Sequence, residues 1–185
     1  MYSRRNFPNQ KPNEHVLMFI HRHWIAVFKI IAMSVFFAAI PLLIYIGLQN
    51  YTGFLENEAY FAFFVILVSA FYLFVILFAY ANFVDYYLDV WIVTNERVIN
   101  IEQKGLFSRE ISEKELGNMQ DITSDVDGFW ATILNYGNVY IQTAAEKERF
   151  VFKEIPFADE VARRISNLVA EYQKLNKTIE IDKMS

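Results

Sequence analysis

The 185-residue sequence contains no cysteine, three histidines and six glycines. Without cysteine, the chain can form neither a disulfide nor a thiolate-ligated metal site. His15, His21 and His23 all lie near the N-terminus, so the rest of the chain has no imidazole to activate a serine or threonine nucleophile. The glycines form none of the Gly-rich patterns that cradle phosphates. These absences predict a protein that is not an enzyme and has no cofactor.

Two interpretations of the histidines remain open. The His-x-His pair formed by His21 and His23, together with Glu14, has residue types that bind metal ions. The same residues directly precede a long apolar segment, where polar and aromatic side chains often lie at the level of lipid headgroups. Because no fourth ligand is evident, we favour the second interpretation and predict no metal site.

Charge and hydrophobicity divide the chain into parts. Residues 1–29 carry five basic residues and one acidic residue, a net charge of +4. Residues 82–185 carry 12 basic and 18 acidic residues, a net charge of −6, and the whole chain has a net charge of −4. The excess of apolar residues lies before about residue 84. An acidic C-terminal part lacks the basic surface that nucleic acids require, so we predict no nucleic-acid partner.

Two apolar runs, residues 24–48 and 59–81, predict a transmembrane hairpin. The second run has no charged residue, and the first has none after Lys29. At 1.5 Å per residue, about 20 residues cross a hydrocarbon core of about 30 Å. The alternative, a pair of buried helices in a soluble domain, would need more chain to cover them. The connecting loop, residues 49–58, has no Lys or Arg, whereas the tail and interfacial segment, residues 1–23, is basic.

The positive-inside rule sets the orientation of this predicted hairpin. The basic N-terminal segment is expected in the cytoplasm and the loop without Lys or Arg outside it. Two spans then return the chain to the cytoplasm near Asn82. We predict that Arg22, His23, Trp24 and Lys29 anchor the first span at the membrane interface, where Trp is enriched and Lys extends toward the headgroups. Membrane lipids are therefore the expected surroundings of both spans.

The C-terminal part, residues 82–175, has the pattern of a small α+β domain. Apolar and polar residues alternate from Asp85 onward, in short runs separated by turn residues. Phe129–Leu134 predicts a short helical turn, and the three- and four-residue spacing of apolar residues after Pro156 predicts one amphipathic helix. Residues 176–185 are predicted to form a polar tail. The predicted strands are Tyr86–Val93, Arg97–Gln103, Phe107–Lys114, Met119–Val126, Val139–Ala144 and Phe150–Ile155.

An ordered series of motifs resembles the bacterial pleckstrin-homology-like (PH-like) domain family of membrane-flanked proteins. The start of the chain, Glu14–Leu17 and Arg22–Trp24, is similar to the start of that family. One departure is Ala144-Ala145, where the family often has a glycine after the small residue. The later motifs are DVWIVTNERVI from Asp89, GLFSR from Gly105, MQDI from Met119, LNYGNVYIQTA from Leu134, and Ile155-Pro156 before the last helix.

The resemblance implies a strongly bent antiparallel β-barrel that is capped at one end by the C-terminal helix. It also implies a location in the bacterial inner membrane, with the N-terminus and the barrel in the cytoplasm. The expected fold class is therefore an α+β membrane protein, with a two-helix transmembrane hairpin followed by the PH-like barrel. The family implies no reaction, and related folds bind lipids, peptides or one another.

We predict that the protein is a membrane-anchored scaffold whose PH-like domain binds a partner protein or a second copy of the chain. Phe129 and Trp130, beside a glycine turn, are the candidate contacts; the competing interpretation is that they fill the barrel interior. The alternative function is binding of inner-leaflet lipids, for which Arg97, Lys104 and Arg109 would have to converge across neighbouring strands. Each basic residue near the surface attracts anionic lipid by about 1 kcal/mol, so the acidic domain disfavours this alternative.

Overall fold

The computed structural model describes residues 10–11, 13–49, 57–143 and 150–184. Most of the predicted loop 49–58 and the Ala144-Ala145 turn therefore lie outside the described residues, as does most of the N-terminal tail. The chain divides into two compact units. Unit 1 combines the residues up to His23 with those from Tyr87 onward, and unit 2 is Trp24–Tyr86.

Unit 2 is built from two long apolar helices. They are α1 (Ile25–Gln49) and α2 (Glu58–Leu88), whose last two residues belong to unit 1. With mean hydropathies of 2.4 and 2.8, both are long and apolar enough to cross a membrane. The two helices contact each other, since the Tyr72 hydroxyl donates a 3.1 Å hydrogen bond to the Ala38 carbonyl. Most of their other large apolar side chains are exposed, so the helix pair has an apolar outer surface.

The second helix extends further than the sequence pattern predicts. A strand is expected from Tyr86, but residues 86–88 form the last turn of α2 and the strand begins at Val90. That part of the prediction is wrong because consecutive aromatic and apolar residues fit a helix as well as a strand. The helix ends at Leu88, directly before Asp89. The Asp89 carboxylate accepts a 2.7 Å hydrogen bond from the Gln103 backbone N–H.

Unit 1 contains a four-stranded antiparallel sheet. Gly105 lies in the tight turn between its third and fourth strands, where its φ of 71° favours glycine. The strands, hydrogen-bonded in this order, are β1 (Val16–His21), β2 (Val90–Thr94), β3 (Arg97–Lys104) and β4 (Ser108–Glu115).

β1 comes from the segment before α1, which the sequence pattern assigns to a tail and interfacial segment. That assignment is wrong for residues 16–21, which pair with β2 from Val16 opposite Thr94 to His21 opposite Val90. The PH-like domain is therefore discontinuous in sequence, with both apolar helices inserted between its first two strands. Single-sequence patterns do not reveal this pairing because a six-residue apolar run beside a transmembrane segment merges with the membrane signal.

A second, three-stranded antiparallel sheet completes the strands of unit 1. A 3-10 turn, Leu116–Asn118, connects the two sheets in sequence. The strands are β5 (Met119–Asp125), β6 (Tyr136–Thr143) and β7 (Phe150–Pro156), paired in that order. The predicted short helix α3 (Phe129–Leu134) connects β5 to β6, and α4 (Ala158–Met184) follows β7 through most of the segment predicted as a polar tail.

Both sheets and α4 share one hydrophobic core. Phe152 of β7 has no exposed surface, and its ring lies 5.3 Å from the ring of Trp91 on β2. α4 contributes the buried residues Ala162, Ile165 and Val169, which confirms the predicted apolar stripe on this helix. Within the described residues, β4 pairs only with β3 and β5 only with β6. The predicted closed barrel is therefore wrong: the domain consists of two sheets and a helix, because the 3-10 turn interrupts the strand ladder.

Candidate functional site

The short helix α3 exposes large apolar side chains. It begins after Gly128, whose φ of 97° favours glycine, and it ends at Asn135, which has a left-handed φ of 51°. The Asn135 backbone N–H donates to the Ala131 carbonyl, and Ala131 is the buried residue of the helix. A helix of six residues can bury only one narrow face, so its other side chains point outward. We define the α3 patch as Phe129, Trp130 and Ile133, which are 71%, 64% and 56% exposed.

Phe129 and Trp130 therefore do not fill the interior of the domain. Their rings meet edge to face at 5.5 Å on the surface. A groove of about 510 Å³ lies between α3 and the start of α4, and Phe157 and the charged residues Asp159 and Arg163 line it. The groove contains none of the three residues of the α3 patch. The patch by itself has the aromatic composition that is enriched at protein-binding surfaces.

Arg97, a candidate lipid or partner contact from the sequence, lies in a buried cluster of charges. Its Nε and Nη2 atoms donate 2.9 Å hydrogen bonds to the two carboxylate oxygens of Glu14, and Nη1 donates to Glu113. The Thr94 hydroxyl and the Lys11 backbone N–H also donate to Glu14, at 2.8 Å and 3.0 Å. Arg97 and Glu14 are only 6% and 4% exposed. Such a pair is tolerated because nearly every charged atom has a partner.

The environment of the cluster keeps both groups charged. Burial acts to raise the pKa of Glu14, but hydrogen bonds from Arg97, Lys11 and Thr94 outweigh it and hold the pKa below its ordinary value of 4.5. The hydrogen bond to Glu14 raises the pKa of Arg97 against the effect of burial. The cluster therefore joins the chain before β1 to β3 and β4 through charges that persist at neutral pH.

Lys104 and Arg109 lie at the other end of β3. Lys104 pairs with Ser108 in the β3–β4 register and Arg109 with Gln103, whereas Arg97 pairs with Glu115. At about 3.3 Å per residue, Lys104 lies roughly 23 Å along the strand from Arg97. Lys104 and Arg109 lie on neighbouring rows of this register, so their side chains point to opposite faces of the sheet, and Arg97 is remote from both.

Basic side chains of unit 1 mostly have carboxylate partners. Lys104 and Glu110 are both exposed, and their contact raises the pKa of Lys104 and lowers the pKa of Glu110. Further pairs on the domain surface include Lys11–Glu96 at 3.3 Å, Lys153–Glu102 at 3.2 Å and Arg164–Glu160 at 2.5 Å, whereas Arg22 contacts the buried Asp89 at 3.3 Å. A phosphate headgroup would have to compete with these carboxylates for the same cations.

The three histidines have different surroundings. The His21 ring meets Phe19 edge to face at 4.8 Å, and the His23 ring stacks on Tyr136 at 5.2 Å. Burial lowers the pKa of His21 and, against the charge of Glu154, the pKa of His23. Across the residues that the structure describes, no three His, Asp or Glu side chains come together as metal ligands. The predicted roles of Arg22, His23, Trp24 and Lys29 as interface anchors remain predictions.

Sequence reasoning missed Glu14 and Asp89 as structural residues. Glu14 lies two residues before β1, and Asp89 directly precedes β2. An acidic residue next to an apolar strand is a signal for a buried ion pair, because burial of a lone carboxylate is costly. The basic partners could not be assigned from sequence, since Arg97 lies 83 residues from Glu14.

The fold and its surface define a small α+β domain that carries an exposed aromatic helix and a pair of long apolar helices. The family model for the bacterial PH domain matches residues 25–169. The chain therefore belongs to the bacterial PH domain family, which confirms the resemblance seen in its sequence.

Solved structures of two other bacterial proteins are similar to part of this chain. One is a DUF1696 family protein with a pleckstrin-homology domain from Shewanella loihica PV-4, at 16% identity and a TM-score of 0.36, covering 46% of this chain and 70% of that one. Another is a pleckstrin-homology domain from Shewanella amazonensis SB2B, at 17% identity and a TM-score of 0.35, covering 46% of this chain and 66% of that one. No curated protein sequence matches the chain.

Proposed function

We propose that this protein is a non-enzymatic, membrane-anchored scaffold of the bacterial inner membrane. In this proposal α1 and α2 cross the membrane, and the PH domain binds a partner protein or a second copy in the cytoplasm. The observation that carries the proposal is the α3 patch, whose three large apolar side chains are all more than half exposed. A buried Phe or Trp contributes 150–250 Å² of contact area, roughly, so a partner that covers the patch would gain substantial binding energy.

The sharpest test of this patch is site-specific photocross-linking in the full-length protein in its native membrane. A photoreactive amino acid at position 130 is expected to give a discrete cross-linked product. The matched control is position 107, because Phe107 is a single aromatic residue that is 99% exposed in the β3–β4 turn. Replacing Phe129 and Ile133 by Ala should remove the product at position 130. Equal products at both positions would contradict a partner site on α3.

Membrane anchoring is supported by the discontinuous domain as well as by the hydropathy of the helices. β1 precedes α1 and β2 follows α2, yet the two strands pair along Val16–His21. The segments before and after the helices must therefore lie on the same side of any membrane, which two crossings satisfy. This agrees with the orientation that the basic N-terminal segment favours.

The absence of cysteine makes this topology easy to test. Single-cysteine variants Asn57→Cys, at the start of α2, and Ser108→Cys, on β4, can each be labelled in intact and in opened cells. A membrane-impermeant maleimide is expected to label the first variant in intact spheroplasts and the second only after the cells are opened. Labelling of both in intact spheroplasts would contradict a cytoplasmic domain.

Binding of anionic lipid is the alternative function. It is disfavoured because Arg97 is buried and Lys104 already contacts Glu110. Titration of the detergent-solubilised protein with short-chain phosphatidylglycerol, at low and at moderate salt, tests it directly. Saturable, salt-sensitive binding that Lys104→Ala weakens would favour the lipid function over the protein-binding one.

A further inference from the structure

The outer edge of β1 is an unpaired strand edge. β1 is the first strand of the four-stranded sheet and hydrogen-bonds only to β2. Over the ranges that the structure describes, its other backbone edge makes no hydrogen bond to a strand. Its first five side chains are all apolar, and only His21 at its end can titrate. Unpaired backbone groups in a row form a template to which another extended chain can add.

The opposite edge of the same sheet, β4, is protected. Charged side chains on an edge strand discourage pairing with other chains, because pairing would bury them. β1 has no such charged protection, and just beyond its end the His23 N–H donates a 2.6 Å hydrogen bond to the Glu154 carbonyl of β7, so the exposed part of this edge lies along Val16–His21. The charged residues of β4 are Arg109, Glu110, Glu113, Lys114 and Glu115, five of its eight residues.

A groove of about 550 Å³ lies between β1 and the start of α4. β1 forms one side of it, and Pro156, Phe157 and Val161 contribute apolar surface to the other. This volume is within the range of about 300–1,000 Å³ found for ligand sites in proteins. An added strand would therefore gain side-chain contacts with α4 in addition to backbone hydrogen bonds with β1.

The charges around the groove select the kind of partner. Two arginines line the groove, and each already has one carboxylate partner, Asp89 for Arg22 and Glu160 for Arg164. In the part of the chain that the structure describes, however, the Arg22 Nε has no hydrogen-bond partner, and the Arg164 side chain is 63% exposed, so both retain donors for an acidic residue on the added strand. Residues 82–185 carry a net charge of −6, so a second copy of this acidic domain would be repelled.

We propose that the β1 edge binds an extended, mainly apolar segment of another protein that carries an acidic residue. The segment adds as a fifth strand beside β1 and packs its inward side chains against the start of α4. This site is separate from the α3 patch, and the proposal stands without a partner on that helix.

The test uses a fluorescein-labelled peptide that alternates valine with threonine and ends in aspartate. The control peptide has the same side chains but N-methylated alternate amides, which cannot donate along a strand. Fluorescence anisotropy is measured with the full-length protein in detergent. Saturable binding of the first peptide and none of the second is the expected result.

Two variants with equally exposed positions test whether the peptide binds at β1 or at β4. Leu17 on β1 and Ile111 on β4 are 41% and 43% exposed, so a lysine at either position costs the fold little. Leu17→Lys is expected to weaken the peptide by about tenfold or more, since strand addition would bury the new charge, while Ile111→Lys has no effect. Arg164→Glu, on the exposed surface of α4, should weaken the aspartate peptide more than its asparagine analogue.

Several results would overturn the proposal. These are no saturable binding of the unmethylated peptide, equal binding of the N-methylated peptide, or equal weakening by Leu17→Lys and Ile111→Lys. A dimer that Leu17→Lys dissociates, in protein that binds no peptide, would show that a second copy covers the edge instead. Thermal unfolding of each variant, followed by tryptophan fluorescence, confirms that the folded protein is being compared.

Discussion

The two ends of β3 hold similar ion pairs in opposite environments. At the first end, Arg97 meets Glu14 and Glu113 where water is largely excluded. At the second end, Lys104 meets Glu110 on the surface, where both side chains are more than half exposed. Loss of one partner therefore affects the stability of the domain differently at the two ends. Water can replace the lost partner of an exposed charge, but it cannot reach a buried one.

This comparison also separates structural from surface roles among the predicted site residues. Arg97 holds the chain before β1 against the hairpin of β3 and β4, so its substitution should alter the fold before it alters any binding surface. Lys104 contributes only to the surface.

Arg97→Met should destabilise unit 1 the most. It leaves the Glu14 carboxylate buried without its cation, at a cost of about 3–5 kcal/mol in the free energy of unfolding. Chemical denaturation of the detergent-solubilised protein, followed by tryptophan fluorescence, measures the change. A loss smaller than that caused by Glu110→Gln would show that the two ends of β3 do not differ as described.

Glu14→Gln should have an intermediate effect. The amide oxygen keeps one acceptor for the Arg97 guanidinium, but the second hydrogen bond and the opposite charge are lost, for a cost of about 1–3 kcal/mol. The matched control is Glu110→Gln, which removes a carboxylate from the exposed pair of the same hairpin. The control is expected to leave the unfolding midpoint unchanged.

Acid should act on the buried end through Glu14. Its pKa is lower in the folded than in the unfolded chain, so its stabilisation is complete above the ordinary pKa of 4.5 and is lost as the pH falls through the lower folded value. Denaturation midpoints between pH 6 and pH 3 should therefore fall more steeply in the wild type than in Glu14→Gln. Parallel curves would assign the acid sensitivity to other groups.

Lys104→Ala should have the smallest effect. Its partner is exposed, so water and salt replace the interaction, and the unfolding midpoint is expected to stay the same.

Salt should affect the buried end of β3 little. Adding 1 M salt should leave the difference in unfolding free energy between Arg97→Met and the wild type nearly unchanged, because buried pairs are weakly screened. A large effect of salt on that difference would show that the Arg97 cluster is accessible to solvent.

Local sequence patterns were sufficient to predict most of the secondary structure of the domain. The alternation of β2 through β7 and the apolar stripe of α4 are properties of neighbouring residues, and they predicted the strand-rich part and the final helix. Phe129–Leu134 was predicted as a helical turn from the glycine before it and the turn residues after it. The family series of motifs added the PH-like assignment.

Long-range features escaped prediction for a physical reason. The pairing of Val16–His21 with β2 and the contact of Glu14 with Arg97 join residues that are about 70–80 positions apart. Local periodicity carries no information about such a contact, because the stability of the contact depends on which distant strand completes the sheet. The exposure of Phe129 and Trp130 was likewise undecidable, since aromatic residues occur both in cores and at binding surfaces.

The discontinuous domain also sets an order of events during synthesis. β1 leaves the ribosome first, but 68 residues separate it from its partner β2. At about 5–20 residues per second, β1 waits roughly 3–14 s before the sheet can start to form. During that interval an uncharged apolar strand is available to other chains, so the rate at which the two helices enter the membrane governs how long this nascent protein is at risk of aggregation.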